Sequence, residues 1–181
     1  YPAFEKALRE ESPVSIRLNP LKTNSGLFGQ EQVPWCKNGY YLQDRPAFTF
    51  DPRFHAGAYY VQEASSMFLD HVIRQHIIRP VRYLDLCAAP GGKTTLALSA
   101  LPEGSLVVCN EIVRNRAHVL AENIIKWGNP YCIVTNNDSA TFNSLKHYFD
   151  VILTDVPCSG EGMFRKDPVA VQEWSASNVG L

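Results

Sequence analysis

The sequence has no C-x-x-C pair. Its five cysteines (Cys36, Cys87, Cys109, Cys132 and Cys158) lie more than twenty residues apart. Closely paired thiols are what a zinc site or a disulfide framework needs, so neither is expected, and no metal is expected at all. An odd cysteine count without a signal peptide fits a reducing compartment, and a cytoplasmic location is expected. No apolar run approaches bilayer length, so no membrane contact is expected. Charge is sparse as well: 19% of residues are charged and the formal net charge is −1. That excludes histone-like bulk binding to nucleic acid but leaves room for a local basic cleft. With 45% hydrophobic residues in 181, the chain has the composition of one globular core plus a small appendage. It starts at Tyr1 rather than Met and stops at Leu181, and is expected to be a fragment.

What the sequence does have is concentrated in residues 81–95. Val81-Arg82-Tyr83-Leu84-Asp85 reads as a short apolar strand, Leu86-Cys87-Ala88-Ala89-Pro90-Gly91 as a tight turn of small residues, and Gly92-Lys93-Thr94-Thr95 as the opening of a helix. Gly91 and Gly92 permit close backbone approach. The amides at the start of the helix face whatever lies beyond the strand's carboxyl end, which in an open α/β sheet is where nucleotide-like ligands bind. Two familiar loops fail here. A phosphate-binding loop would need a glycine where Cys87 stands, so Gly92-Lys93-Thr94 completes only its tail. The dinucleotide fingerprint fails because no glycine precedes Gly91 in the turn.

The remainder divides into three regions. Residues 1–58 are irregular and proline-rich, with Val14-Ser15-Ile16-Arg17-Leu18 alternating as a strand and Tyr40-Tyr41-Leu42 as another, which predicts a small α+β extension. Residues 59–79 form a linker helix with an apolar stripe of Phe68, Leu69, Val72, Ile73 and His76. Residues 80–181 alternate strands and helices, which predicts a parallel sheet. There Ala97, Leu98 and Leu101 mark the core face of one helix, and Ile112, Val119, Leu120 and Ile124 that of the next. Glu111 ends the second strand about twenty residues past the turn, where a carboxylate suits ribose hydroxyls. Asp138 follows the third strand. The fourth delivers Asp155-Val156-Pro157-Cys158, then Arg165 and Lys166, two cations suited to phosphates. From the residues alone, Cys158 is the candidate nucleophile.

Asp85-Leu86-Cys87-Ala88-Ala89-Pro90-Gly91-Gly92-Lys93-Thr94 resembles motif I of the RNA (cytosine-5) methyltransferases of the Fmu/Sun/NOP family. Ser15-Ile16-Arg17-Leu18-Asn19-Pro20-Leu21-Lys22 resembles that family's upstream S-x-R-x-N-x-L-K signature, and Val61-Gln62-Glu63-Ala64-Ser65-Ser66-Met67 is shared too. Val33-Pro34-Trp35-Cys36 with Gly39-Tyr40-Tyr41 is most similar to the RsmF-like subgroup acting on small-subunit ribosomal RNA. The resemblance implies a class I methyltransferase Rossmann-like α/β fold with a mainly parallel sheet over residues 80–181, and an RNA-binding role for the extension. It implies S-adenosylmethionine as cofactor, held by Cys87, Ala88, Ala89, Pro90, Gly91, Gly92, Lys93, Glu111, Asp138 and Asp155. The implied substrate is RNA, ribosomal or alternatively transfer RNA, bound through Arg165 and Lys166 by a monomer. Asp155 and Cys158 are the implied catalytic residues. In the family, however, the nucleophile belongs to a later Thr-Cys motif with no match here, and Cys158 corresponds to the cysteine that promotes product release. Two rival readings remain: a P-loop-like nucleotide hydrolase and an inactive RNA-binding module.

Overall fold

The computed structural model describes residues 1–23, 31–156, 160–164 and 168–179. The chain separates into two units. The larger is Val14–Asp155, and the other joins Tyr1–Pro13 to Val156–Leu181. Helix α1 (Pro2–Arg9) of the terminal unit opens on Pro2, a position where the missing N–H costs no helical hydrogen bond.

The larger unit begins with an antiparallel sheet. Strands β1 (Val14–Leu18) and β2 (Gly39–Leu42) are followed by the single-turn helix α2 (Pro52–His55), capped by the Asp51 carboxylate, and by β3 (Tyr59–Val61). The strand order is β2-β1-β3. Ile16, Leu18 and Tyr59 form its buried cluster. Helix α3 (Phe68–His76) comes next. Its buried side is Asp70 and Ile73, while Phe68, Val72 and His76 are exposed. This corrects the expected stripe. Asp70 can lie inside because it pairs with Arg74 at 2.9 Å and accepts from the Lys37 N–H at 3.5 Å.

Strand β4 (Arg82–Asp85), helix α4 (Gly92–Ala100), strand β5 (Leu106–Asn110), helix α5 (Arg114–Trp127) and strands β6 (Cys132–Thr135) and β7 (Val151–Leu153) follow in order. All four strands are parallel in the order β6-β5-β4-β7, with Leu84 opposite Val108 on one side and Ile152 on the other. The chain steps outward from β4 twice and then returns to its far side. This is the Rossmann-like α/β fold expected, and the order reversal puts a crevice at the strands' carboxyl ends. Tyr83, Leu96, Ala97 and Val107 pack between sheet and helices. On α5 the buried side is Ala117, Leu120, Ile124 and Trp127, whereas Val119 is exposed, as is Ile112, which precedes the helix. The expected α5 face was therefore right for Leu120 and Ile124 and wrong for the other two.

The S-x-R-x-N-x-L-K stretch joins this sheet to the first. Ser15 Oγ donates to the Gln62 carbonyl at 2.6 Å. The buried Arg17 guanidinium donates to Gln62 Oε1, the Gly92 and Thr95 carbonyls and Thr95 Oγ1, and lies 4.6 Å from the Trp127 ring centroid. Asn19 Nδ2 donates to the Trp127 carbonyl at 2.8 Å, and Lys22 Nζ to the Lys126 carbonyl at 2.7 Å. These are C-terminal carbonyls that a helix cannot satisfy internally, and a cation there also complements the negative end of the helix dipole.

In the terminal unit, α6 (Pro168–Glu173) and α7 (Ala176–Val179) are short. Trp174 Nε1 donates to Glu161 Oε1 at 3.0 Å.

Candidate active site

The turn after β4 has its carbonyls occupied from behind. Leu86 O accepts from Asn110 Nδ2, and Ala89 O from Arg116 at 2.9 Å. Pro90 O accepts from Asn123 Nδ2 at 2.8 Å and from the Tyr60 hydroxyl at 3.4 Å. The first intrahelical bond of α4 is Thr95 N–H to Gly91 O at 2.9 Å, so the N–H groups of Gly92, Lys93 and Thr94 precede the helical ladder. Gly91 sits at φ +106°, and a Cβ there would meet Leu120 Cδ1 at 3.1 Å. That glycine lets the turn lie against α5. Ala88, Ala89 and Gly91 are buried, Cys87, Gly92 and Lys93 half-buried, and Pro90 exposed.

Beneath the turn, Asp85 is buried. Its Oδ2 accepts from Thr94 Oγ1 at 2.7 Å, while Oδ1 has no partner among the described residues. Burial pushes its pKa up to about 6, against the Thr94 hydrogen bond and the nearby Lys93 charge. Lys93 Nζ donates to Asp155 Oδ2. The Cys87 thiol is also pushed up, first by burial and then by the carboxylates of Glu111, Asp85 and Asp155. A thiol so held is protonated near neutrality and is a poor nucleophile. Thr94, which a phosphate-binding loop would place on magnesium, is fully buried and committed to Asp85. The P-loop rival loses its metal ligand there.

Glu111 follows β5 directly and is only 2% exposed. Its Oε1 accepts from the Val113 N–H at 3.0 Å, and Oε2 lies 3.6 Å from Arg116. A ribose would share or displace those contacts. Asp138, after β6, is exposed and caps a short 3-10 helix by accepting the Ala140 N–H at 2.8 Å. The sequence reading passed over Asn110. Its side chain ties the carboxyl ends of three strands together, donating to Leu86 O and Asn137 O and accepting from Thr135 Oγ1 and the Asn137 N–H. An amide buried at a strand's carboxyl end was the available signal. The turn, Glu111, Asp138 and Asp155 thus all follow carboxyl ends of the one parallel sheet. Cys158, Arg165 and Lys166 lie outside the described residues. Among those described, no cluster of His, Cys, Asp or Glu is arranged to hold a metal ion, and no helix is long and apolar enough to cross a membrane.

Residues 1–64 match the family profile described as the N-terminal domain of 16S rRNA methyltransferase RsmF, and residues 78–178 match 16S rRNA methyltransferase RsmB/F. The chain belongs to the RsmB/F family. Among curated relatives in the family, the ribosomal RNA small subunit methyltransferase F of Pectobacterium atrosepticum is 37% identical over 91% of this chain, and that of an Enterobacter species 35% identical over 100%. The chain spans 37% and 41% of their respective lengths. A solved methyltransferase homolog from Pyrococcus horikoshii aligns with 92% of this RsmB/F chain and 57% of its own, at a TM-score of 0.74 and 28% identity.

Proposed function

We propose that this chain binds S-adenosylmethionine at the carboxyl edge of its parallel sheet and serves methylation of carbon 5 of a cytosine in small-subunit ribosomal RNA. It would act in the cytoplasm as a monomer. The observation that carries the reading is a pair of opposites around one turn. The N–H groups of Gly92, Lys93 and Thr94 precede the hydrogen-bond ladder of α4, while buried Asp85 has a carboxylate oxygen with no partner among the described residues. An amino-acid end, with its carboxylate on the amides and its ammonium toward Asp85, complements both. Glu111 and Asp138 continue the site toward ribose and adenine.

The bound cofactor supplies an electrophilic methyl group on a sulfonium. Cytosine carbon 5 is a poor nucleophile until a thiolate adds at carbon 6. By the family pattern that thiolate comes from a Thr-Cys motif unmatched in this sequence, and Cys158 promotes release of the methylated product. Cys87, held protonated, does not compete for the role. Asp155, oriented by Lys93, hydrogen-bonds the base near N3 and assists its activation. The base enters unpaired or flipped. Arg165 and Lys166 take backbone phosphate, the extension at residues 1–58 binds RNA, residues 59–79 link, and residues 80–181 form the methyltransferase domain.

Titration calorimetry with S-adenosylmethionine tests the site. Replacing Glu111 with Ala removes one charge-assisted hydrogen bond, so affinity should fall roughly tenfold or more. Unchanged affinity in a variant that melts like the parent removes the ribose assignment.

A further inference from the structure

A second concavity, of about 290 Å³, opens behind the turn. Its walls include Phe48, Phe54 and Tyr60 from the first sheet and its loop, Asn123 and Lys126 from α5, and Arg45 at the rim. Tyr60 and Asn123 both bond the Pro90 carbonyl, so the cavity shares two wall residues with the support of the turn. Phe48 and Phe54 are 6.4 Å apart between ring centroids. Lys126 Nζ stands 4.4 Å from the Phe54 centroid and the Arg45 guanidinium 6.0 Å from that of Phe48. Neither cation is in an ion pair among the described residues. Glu122, one turn earlier on α5, is the carboxylate that acts on Lys126 from a distance. Nearby Phe50 is 87% exposed.

We propose that this cavity seats one unpaired nucleotide of the RNA substrate away from the target cytosine, its base against Phe48 and Phe54 and its phosphate on Arg45 and Lys126. The argument is complementarity. A protein ligand would use the aromatic walls but would need carboxylates for two unpaired cations. A nucleotide brings a flat π-face and a phosphate in one unit, and Asn123 and Tyr60 offer hydrogen-bonding groups at the edge. Arg45 and Lys126, each over an aromatic ring and without an ion pair among the described residues, give this wall positive charge in a chain of net charge −1. The proposal rests on the RNA-substrate reading above and adds a subsite to it.

Fluorescence anisotropy of the full-length protein with a labelled single-stranded oligoribonucleotide, repeated over a salt series, provides the test. Arg45→Ala with Lys126→Ala should weaken binding about tenfold and flatten the salt slope by roughly one to two phosphate equivalents. Phe48→Leu, which keeps the cavity wall apolar, should weaken binding about fivefold by loss of stacking. Both variants should remain folded, and S-adenosylmethionine affinity should stay at the parental value in both. Parental RNA affinity and slope in folded variants overturn the subsite alone, and would leave the cavity to a protein contact. If the parent protein itself binds cofactor but no RNA, the RNA-substrate reading falls together with the subsite.

Discussion

Arg17 is a buried cation with no ion pair among the described residues, held by carbonyl, amide and hydroxyl acceptors and by the face of Trp127. Burial lowers its pKa to about 10, still far above neutrality, so it remains charged. Asp85 is the opposite case, a buried acid lacking a partner for one oxygen. Its folded pKa of about 6 exceeds the ordinary 3.8, so the native state binds this proton more tightly than the unfolded chain does. Stability from this group is therefore present below about pH 4, declines as pH rises toward 6, and is absent above. Asp85→Asn removes the charge and keeps an acceptor for Thr94. It should be more stable than the parent by about 2 kcal/mol at pH 7.5, with the advantage fading toward pH 4. The same variant should bind S-adenosylmethionine more weakly. Urea titrations at several pH values check the first claim, and parallel stability curves for the two proteins would contradict it.

The strands of the parallel sheet were legible because each is a short apolar run that ends in, or is followed at once by, a polar or acidic residue, and glycine or proline closes the intervening helices. Helix faces were less legible. On α3, Asp70 is inside because Arg74 and a backbone N–H satisfy it, and apolar periodicity cannot foresee a buried carboxylate. On α5, Trp127 is buried at the helix end while Val119 is exposed. The Ser15–Lys22 signature could be recognised as a pattern. Its work as a clamp could not, because its partners lie up to 108 residues away. The site elements separate in the same way. Glu111 and the turn follow from strand ends, whereas the role of Asn110 depends on three elements meeting. Where α2 meets α5 the fit is close: Gly57 has φ +69°, and a Cβ there would fall 2.1 Å from the Lys126 carbonyl oxygen. Gly57→Ala should cost about 2 kcal/mol or more, combining backbone strain with displacement of that helix end. A denaturant midpoint within error of the parent would show that the two elements can separate freely.

At the scale of the whole molecule, the parallel sheet carries the candidate site at its carboxyl edge, and its two faces are covered unequally. Register places Ile152, Leu84, Val108 and Ile133 in one row across the sheet. Leu84 and Val108 are buried, while Ile152 is 57% and Ile133 49% exposed. An apolar row that emerges at both ends is unusual for a finished α/β face, and the curated relatives are more than twice as long as this chain. Catalysis is therefore a property to test in the full-length protein, and the atom methylated is the central claim. Small-subunit ribosomal RNA transcribed with cytidine tritiated at carbon 5 would be incubated with that protein and S-adenosylmethionine. Methylation at carbon 5 must expel the hydrogen it replaces. Cofactor-dependent release of tritium to water, equal in amount to methyl groups incorporated, is the expected result. Methyl incorporation with the tritium retained would contradict the account.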